Sequence, residues 1–306
     1  MRLASRILAG VVLGCLLTAG RWDSGPDAFT ASPLAGNRDG LAPAMRFAAN
    51  ADVAGTRNPE LAAGQLLTYD PRGRGQVAEV FGKLTEAERI VVVVPGSDVD
   101  LAHYSGPRQL RSMAQAVYAE AAAQQPGSVA VIAWAGYVTP VGIGMDAARS
   151  GLAEAGADRL LQLLSGLASH VEAEFSLMCH GYGSVVCAYA APELAQTGVT
   201  LSDIVVFGSP GMDVSTVSAL GTSARVWAAR AAADWVGWVP HVRVFGVGHG
   251  TDPTEADFGA RVLTVPDADA HDGYLVEGTS SLRRLTASAL GGADSQTPAV
   301  IGTVAR

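Results

Sequence analysis

The residues around Gly181 have the spacing of a turn that presents a catalytic nucleophile, but the nucleophile itself is absent. In such a turn a serine or cysteine follows a strand, precedes a helix and has a small residue two positions away on each side. The stretch Cys179-His180-Gly181-Tyr182-Gly183 fits this pattern with glycine at its apex. Because glycine has no side chain, it cannot attack a carbonyl carbon. The sequence predicts the frame for nucleophilic acyl transfer without the attacking atom.

Asp234 and His271 are the candidates for the two other members of a catalytic triad. Asp234 follows the predicted strand Arg225–Ala229, and His271 lies in the loop before the last predicted helix. Turns of this kind carry their triad in the order nucleophile, acid, histidine, which these residues match. The acid would orient the imidazole, and the imidazole would act as general base. The alternative is that Asp234 caps the start of a helix and that His271 is an ordinary surface residue.

Two main-chain amides are expected to form an oxyanion hole. One belongs to Tyr182, directly after the apex, and the other to Ser97, in the loop that follows the predicted strand Ile90–Val94. Gly96 would let this loop turn tightly against the site. Since amides survive any side-chain substitution, the hole is expected to persist without a nucleophile.

Three substitutes for the missing nucleophile are open. Ser184 lies one helical turn beyond the apex, where its hydroxyl is expected to bond a carbonyl of its own helix or to touch a neighbouring strand. Cys179 lies two residues before the apex, and its side chain is expected to pack behind the turn. A water molecule activated by His271 is the third. General-base catalysis alone contributes roughly 10²–10⁴-fold, so the water route predicts only a slow hydrolase.

Cys179 and Cys187 are expected to be two separate buried thiols. One would end a strand, and the other would lie two turns along the next helix. We expect their Cα atoms to be farther apart than the roughly 4.4–6.8 Å that a disulfide spans. Cysteines in such positions commonly serve as small buried apolar side chains.

Strands and helices alternate along most of the chain. Apolar runs bounded by turn residues predict strands at Gly75–Phe81, Ile90–Val94, Ser128–Trp134, Phe175–Met178, Asp203–Gly208, Arg225–Ala229 and Val242–Val247. Helical spacing predicts helices at Gln109–Ala123, Gly156–Val171, Val185–Ala191, Val214–Leu220 and Ser281–Leu290. The first of these strands is expected at a sheet edge, and Leu61–Thr68 has the character of either a helix or a strand. This alternation indicates an α/β fold with a doubly wound, mostly parallel sheet and right-handed crossovers.

One α/β domain at residues 61–290 accounts for these elements. Residues 1–20 contain arginines, an apolar run and small residues suited to cleavage, which indicates a secretory signal peptide or, alternatively, an uncleaved membrane anchor. Residues 21–60 are expected to be a linker or loosely packed arm, and residues 291–306 a C-terminal tail. The protein is therefore expected to be secreted or associated with the cell envelope. Any membrane contact is expected only through an uncleaved N-terminal segment.

Composition narrows the range of partners. The net charge is −8 and no basic run occurs, which argues against a nucleic-acid partner. No spacing of histidines and carboxylates matches a strong metal signature, so neither a metal nor another cofactor is expected. Apolar residues make up 49% of the chain and charged residues 16%, which indicates a globular protein with a substantial core.

Several motifs together resemble an actinobacterial α/β-hydrolase family long classed as a domain of unknown function. The motifs are VVVVPG at 91–96, AWAGY at 133–137, HGYGS at 180–184, VVFGSPG at 205–211, RVWAARAAAD at 225–234, GVGHGTDPTEADFGARV at 246–262 and the loop around His271. The similarity extends over roughly residues 67–290. It implies the α/β-hydrolase fold and gives Asp234 and His271 the roles of acid and histidine. It also implies a serine at the apex, where this chain has Gly181.

Two functions of different classes are compatible with these residues. One is a non-catalytic or very weak hydrolase homologue that binds an ester-like or lipid-like ligand, and Gly181 favours it. The other is an active hydrolase of an ester, amide or lactone that uses a displaced nucleophile or a water activated by His271. Retention of Asp234 together with His271 favours this second function. Short connections between the strands predict a small cap or none, over an open pocket.

Overall fold

An eight-stranded sheet runs through the part of the chain that the computed structural model describes, residues 41–292. Its strands are β1 (Gln65–Asp70), β2 (Gln76–Phe81), β3 (Arg89–Val94), β4 (Val129–Ala135), β5 (Glu174–His180), β6 (Leu201–Phe207), β7 (Arg225–Ala229) and β8 (Arg261–Val262). Their order across the sheet is β1-β2-β4-β3-β5-β6-β7-β8. From β4 onward all neighbours are parallel, whereas β2 is antiparallel to both β1 and β4. The sheet is therefore mostly parallel, with a hairpin at one edge.

Helices cover both faces of the sheet. They are α1 (Pro43–Gly55), α2 (Pro59–Ala62), α3 (Leu110–Gln124), α4 (Gly151–Ala168), α5 (Gly183–Leu194) and α6 (Ser280–Ala289). Along β3, Ile90 and Val92 pack with residues of α4 and α5, whereas Val91 and Val93 pack with residues of α3 and α6. All four side chains are fully buried, as expected of a β-branched run between two helical layers. The doubly wound architecture is confirmed. No helix in the described part of the chain combines the length and apolarity needed to cross a membrane.

The prediction that the strand at Gly75–Phe81 lies at a sheet edge is wrong. This strand, β2, lies between β1 and β4 and pairs with both. Its outer neighbour comes from the segment Leu61–Thr68, which divides between α2 and β1. Because β1 and β2 form a hairpin, the chain itself covers the outer side of β2.

Residues 41–60, the described part of the segment 21–60, do not form the linker or loosely packed arm that its composition predicts. These residues form α1 and the first half of α2, and α1 lies against β1. Two buried polar side chains hold it there: Arg46 Nε donates to the carbonyl oxygen of Leu67 at 3.0 Å, and Asn50 Nδ2 to that of Leu66 at 2.9 Å. Since polar side chains make these contacts, the spacing of apolar residues did not reveal the helix. The segments predicted before residue 41 and after residue 292 lie outside the described residues.

No strand forms at Val242–Val247, contrary to prediction. The stretch folds into a turn in which the main chains of Val244 and Val247 bond to each other at 2.9 and 3.0 Å. The last parallel position in the sheet is taken by β8 instead. The apolar side chains of Val242, Val244 and Phe245 in this stretch are exposed to solvent.

Candidate functional site

The turn predicted around Gly181 forms between β5 and α5. β5 ends at His180 and α5 begins at Gly183, so Gly181 and Tyr182 make the turn. Gly181 has a φ of +52°, in the left-handed region that residues with a Cβ atom avoid. At Gly183 a Cβ atom would lie 2.5 Å from the carbonyl oxygen of Pro95, so glycine is needed for the helix to start this close to the end of β3. The glycine pattern thus reflects a sharp turn and a close contact between elements.

Asp234 and His271 lie beside the apex. His271 Nδ1 donates to Asp234 Oδ1 at 2.9 Å and lies 3.0 Å from Oδ2. A Cβ atom built on Gly181 would lie 3.0 Å from His271 Nε2. Because Nδ1 is bonded to the carboxylate, Nε2 is the ring nitrogen that faces the apex. The structure brings these three predicted residues together, with no side chain at the apex.

The buried carboxylate of Asp234 is surrounded by three donors. Besides His271, the hydroxyl of Tyr274 donates to Oδ2 at 2.6 Å and the amide of Val236 to Oδ1 at 2.9 Å. Burial, the largest influence, raises the pKa of Asp234, but these three bonds outweigh it and hold the pKa below its ordinary value. An ionised carboxylate orients the imidazole and stabilises its protonated form. Sequence reasoning missed Tyr274, although it lies three residues after His271, because only the fold shows where its hydroxyl points.

His180, the residue before the apex, supports the loop that carries His271. Its Nε2 donates to the carbonyl oxygen of His271 at 2.7 Å, and the two ring centroids are 4.5 Å apart. Burial and the nearby charge of His271 lower the pKa of His180 to about 3, in spite of the bond that it donates. The ring is therefore neutral near neutral pH. It acts as a fixed donor to the main chain and not as a base.

The two residues predicted to supply an oxyanion hole, Ser97 and Tyr182, line the same cavity. Gly96 packs against the turn, since a Cβ atom there would lie 3.3 Å from the amide nitrogen of Tyr182 and 3.1 Å from the carbonyl oxygen of His180. Within residues 41–292, neither amide has a main-chain hydrogen-bond acceptor. Two amides left unpaired by the main chain can bind an oxygen atom of a ligand.

The cavity beside the apex measures about 350 Å³. Its polar lining includes residues of the turn and His271. Its apolar walls include Ile143, Trp235, Val236 and Val239. Trp235 begins a 3₁₀ turn, and its ring centroid lies 4.9 Å from that of His271. A lining that combines donors with apolar side chains suits a ligand with a carbonyl group and an apolar portion.

The chain matches a known protein family over the part that contains this turn. The family model described as alpha/beta hydrolase matches residues 70–244, more than half of the chain. The chain belongs to the α/β-hydrolase family. The match includes the turn at Gly181 and also Asp234, whereas His271 lies beyond its end.

Two mycobacterial proteins are similar to this α/β-hydrolase in sequence. The uncharacterized protein Rv2079 of Mycobacterium tuberculosis is 28% identical over 266 residues, which cover 75% of this chain and 40% of that protein. The uncharacterized protein Rv0963c of the same organism is 30% identical over 160 residues, which cover 50% of this chain and 58% of that protein. The chain thus spans about half the length of these relatives.

Two solved structures of hydrolases resemble the chain distantly. Dienelactone hydrolase from Anabaena variabilis is 18% identical, with a TM-score of 0.44, and the match covers 72% of this chain and 89% of that one. Carboxyl esterase 2 from the fungus Tuber melanosporum is 11% identical, with a TM-score of 0.37, and the match covers 74% and 80%. Neither likeness bears on the chemistry of this α/β-hydrolase.

Ser184 of the α/β-hydrolase is fully buried and is not a lining residue of the cavity. Its hydroxyl donates to the carbonyl oxygen of Gly181 at 2.7 Å and lies 2.7 Å from Ser209 Oγ. It also lies 3.2 Å from the carbonyl oxygen of Gly211. These bonds agree with the expected role of tying the helix to nearby main chain. A hydroxyl engaged in this way is not placed to attack a ligand in the cavity.

Cys179 and Cys187 form a disulfide, and the expectation of two separate thiols is wrong. Their Cα atoms are 6.5 Å apart. Because the turn has only two residues, α5 folds back over the end of β5 and brings its second helical turn beside the strand. Both residues are fully buried. Cys179 therefore has no free thiol, which excludes it as the displaced nucleophile.

A second buried aspartate–histidine pair lies at another wall of the cavity, and sequence reasoning did not connect its members. His249 Nδ1 lies 2.9 Å from Asp213 Oδ1, and its Nε2 lies 2.8 Å from the carbonyl oxygen of Ala147. Asp213 also accepts from the hydroxyls of Ser150 and Tyr189. With both ring nitrogens engaged, His249 holds two loops together and is not free to act as a base. Nowhere in the described part of the chain do three or more His, Cys, Asp or Glu side chains gather as metal ligands.

Proposed function

We propose that this protein is an exported member of the α/β-hydrolase family that binds an ester-like or lipid-like ligand and does not hydrolyse it by the serine route. The observation that carries the proposal is the apex. The imidazole of His271 is directed at Gly181, where a Cβ atom would lie 3.0 Å from Nε2, and glycine offers it no hydroxyl. Without a nucleophile no acyl-enzyme forms, and the rate falls by several orders of magnitude relative to a complete triad.

Glycine at the apex also favours the backbone conformation of the turn. At the φ of +52° observed for Gly181, a residue with a Cβ atom would be strained. Such strain costs about 1–3 kcal/mol and is typical of catalytic sites that need it. A chain that binds without turnover has no use for the strain, so glycine stabilises it.

The remaining parts of the site suit a carbonyl compound with an apolar portion. The amides of Ser97 and Tyr182 would donate to the carbonyl oxygen. Trp235 and Val239, in the apolar walls, would contact the acyl or alkyl group. His271 Nε2 would accept from a hydroxyl or amide donor of the ligand. Such binding does not require cleavage of a covalent bond in the ligand.

Two independent features support export. The pattern of residues 1–20 is typical of a signal peptide. The Cys179–Cys187 bond is of a kind that persists outside the reducing cytosol. We infer a secreted or cell-envelope location from both.

A second function, slow hydrolysis by an activated water, is supported by the bond between His271 and Asp234. A water molecule at the apex would give a proton to His271 Nε2 while its oxygen attacks the carbonyl carbon of an ester, amide or lactone. The resulting oxyanion would bind the amides of Ser97 and Tyr182, and the imidazolium would pass the proton to the leaving group. Gly181 leaves room for such a water molecule.

Labelling by a fluorophosphonate probe and hydrolysis of a short-chain ester, measured on the full chain and its variants, separate the two functions. Gly181→Ser places a hydroxyl beside His271. Gly181→Ala is the matched control, because it adds the same Cβ atom and backbone strain without the hydroxyl. We expect the parent and Gly181→Ala to be inert, and Gly181→Ser to label and turn over.

Other outcomes would overturn parts of the proposal. Hydrolysis by the parent that His271→Ala abolishes would establish the water route. Gly181→Ala would then lower the rate as well, because its Cβ atom occupies the position of the water. An inert but folded Gly181→Ser variant would contradict the assignment of His271 as the base.

Ligand binding itself is tested by calorimetry with a medium-chain methyl ketone, which has a carbonyl oxygen and an apolar tail but no bond to hydrolyse. We expect the parent to bind it and Trp235→Ala to bind it at least about tenfold more weakly, because a cavity wall is removed. Trp238→Ala, at a tryptophan that does not line the cavity, is the matched control. Absence of binding by the folded parent would contradict the proposed ligand class.

A further inference from the structure

Seven large exposed apolar side chains lie in two stretches, 138–145 and 235–247, that also supply lining residues of the cavity. We call them the apolar rim: Val141, Ile143, Trp235, Trp238, Val242, Val244 and Phe245. Phe245 is 102% exposed and Trp238 89%, so almost all of both side chains is open to solvent in the described part of the chain. Elsewhere in residues 41–292 the exposed large apolar side chains are Met45, Val53 and Val262. Exposure of this kind is concentrated in one place, which marks an interaction surface.

The apolar rim belongs to loops that meet at the cavity. Ile143 comes from one loop and Trp235 from another, and both line the cavity. The amide of Gly248 donates to the carbonyl oxygen of Ala148 at 2.8 Å, which joins the loop after Phe245 to the loop after Ile143. The rim and the opening of the cavity therefore share one face of the protein.

Phe245 lies at the tip of the turn between Val244 and Val247, where both its backbone angle and its exposure to solvent are unfavourable. Its φ is +51°, which is strained for a bulky residue, and its ring is in water. Packing within residues 41–292 compensates for neither cost. A protruding aromatic side chain held in this way indicates insertion into an apolar phase outside the chain.

The charges of the apolar rim differ from those of the rest of the chain. The protein has a net charge of −8, yet neither stretch that forms the rim, 138–145 and 235–247, contains an aspartate or glutamate. Arg243 lies among the rim residues, and its guanidinium is 3.5 Å from Asp213 Oδ2. Asp213 offsets the charge of Arg243, and Asp98 Oδ1 accepts from the amide of Gly142 at 2.8 Å, so the rim is close to neutral. Anionic lipid headgroups meet less repulsion there than at the acidic remainder of the surface.

We propose that the apolar rim docks on an anionic lipid surface, with Trp238 and Phe245 inserted at the boundary between headgroups and acyl chains. Tryptophan and phenylalanine prefer this boundary in membrane-associated proteins. Docking places the cavity mouth against lipid, so an apolar ligand reaches the site without crossing water. The inference goes beyond the proposed function and does not depend on whether Gly181 abolishes hydrolysis. It also adds a membrane contact to the one expected from the N-terminal segment.

Cosedimentation of the full chain with vesicles of phosphatidylcholine and one-fifth phosphatidylglycerol tests the docking. The rim variant Trp238→Ser with Phe245→Ser is compared with the matched control Met45→Ser with Val53→Ser, which removes exposed apolar side chains from α1. We expect the rim variant to lose about tenfold in partition coefficient for each side chain removed, and the control to bind like the parent. Circular dichroism and thermal unfolding verify that each variant is folded.

Because the apolar N-terminal segment of the full chain also has affinity for lipid, a second measurement reports on the rim alone. Fluorescence quenching by vesicles of brominated phosphatidylcholine with the same phosphatidylglycerol is compared between the parent and Trp238→Phe, and the difference isolates Trp238. We expect quenching of this component. A bound chain whose Trp238 component is not quenched would overturn the proposal.

Three other results would also overturn it. They are a parent that does not bind vesicles, a rim variant that binds as the parent does, and a parent dimer, seen in sedimentation velocity without lipid, that the rim variant dissociates. The last result would assign the rim to a second copy of the chain. The ketone and fluorophosphonate assays contain no vesicles, so their failure is distinguishable from failure of docking.

Discussion

At the scale of single residues, the site holds an ionised carboxylate and a neutral histidine within one buried cluster. Bonds from its neighbours keep the pKa of Asp234 low in spite of burial, and burial lowers the pKa of His180 to about 3. A carboxylate whose native pKa is depressed stabilises the native state at pH values above its unfolded pKa. A histidine that stays neutral in the native state lowers stability at pH values where the same histidine is protonated in the unfolded chain. Both groups therefore make the protein less stable in acid, but over different pH ranges.

Replacing His180 by glutamine is expected to reduce the decrease in the free energy of unfolding between about pH 7 and about pH 5. The unfolded chain binds a proton on this histidine below its ordinary pKa of 6.5, whereas the native ring does so only near about 3. Between these values one histidine lowers the free energy of unfolding by at most about 1.4 kcal/mol per pH unit. Urea unfolding at about pH 7 and about pH 5 measures the slope, with His170→Gln as the control at an exposed histidine. Equal slopes for the parent and His180→Gln would contradict a neutral native ring.

Asp234→Asn is expected to lower the free energy of unfolding by roughly 1–3 kcal/mol near neutral pH, because buried donors lose their charged acceptor. The contribution of the carboxylate is complete above its ordinary pKa of 3.8 and disappears as the pH falls through the lower native value. The difference in free energy of unfolding between parent and variant should therefore become smaller as the pH falls below 3.8. Denaturant unfolding across the acid range measures it, with the exposed Asp257→Asn as control. A difference that does not change with pH would argue against the depressed pKa.

At the scale of elements, the two-residue turn determines more than the apex. It reverses α5 over β5, which places Cys187 beside Cys179 and Ser184 beside Ser209. The disulfide and the serine pair tie the strand, the helix and the end of β6 into one unit. A turn held from both sides keeps the amide of Tyr182 in place even though the apex carries no catalytic side chain.

Removing the disulfide with Cys179→Ala and Cys187→Ala is expected to cost roughly 2–3 kcal/mol of unfolding free energy, because a short closed loop restrains the unfolded chain. Urea unfolding with and without a thiol reductant measures the effect. The reductant should shift the unfolding midpoint of the parent toward that of the double variant and leave the midpoint of the double variant unchanged. If the reductant does not change the unfolding midpoint of the parent, the Cys179–Cys187 bond does not form.

At the scale of the whole molecule, the site lies where the carboxyl ends of central strands meet, as in other open α/β sheets. Ser97 follows β3, Gly181 follows β5 and Asp234 follows β7, while His271 comes from the loop before α6. The loops at this end also carry the apolar rim, so the proposed ligand entry and the proposed lipid contact share one face. The hairpin edge of the sheet is covered by α1.

Deletion of residues 1–60 is expected to destabilise the protein, whereas deletion of residues 1–40 should leave the described contacts intact. The longer deletion removes the bonds that Arg46 and Asn50 donate to carbonyl oxygens of β1. Thermal unfolding of the two shortened chains measures the difference, and the longer deletion should have the lower Tm. Equal midpoints would show that α1 is not part of the cooperative unit.

The amino-acid sequence by itself determined the parallel core and the order of the site residues. A continuous β-branched run such as Ile90–Val94 needs a covering layer on each face. Glycines at 181 and 183 permit a sharp turn between a strand and a helix. Asp234 and His271 follow in the order that places both after later strands. These features depend on neighbours along the chain, which a sequence pattern records.

Only the tertiary structure decided the contacts between elements. The Cys179–Cys187 bond depends on how α5 folds back over β5, and the position of α1 depends on polar bonds to β1. The strand β2 is internal because its hairpin partner covers it, and Val242–Val247 remains a turn beside the site while β8 takes the sheet position. Spacing along a chain predicts which side of an element is apolar. It does not predict which other element, or what outside the chain, lies against that side.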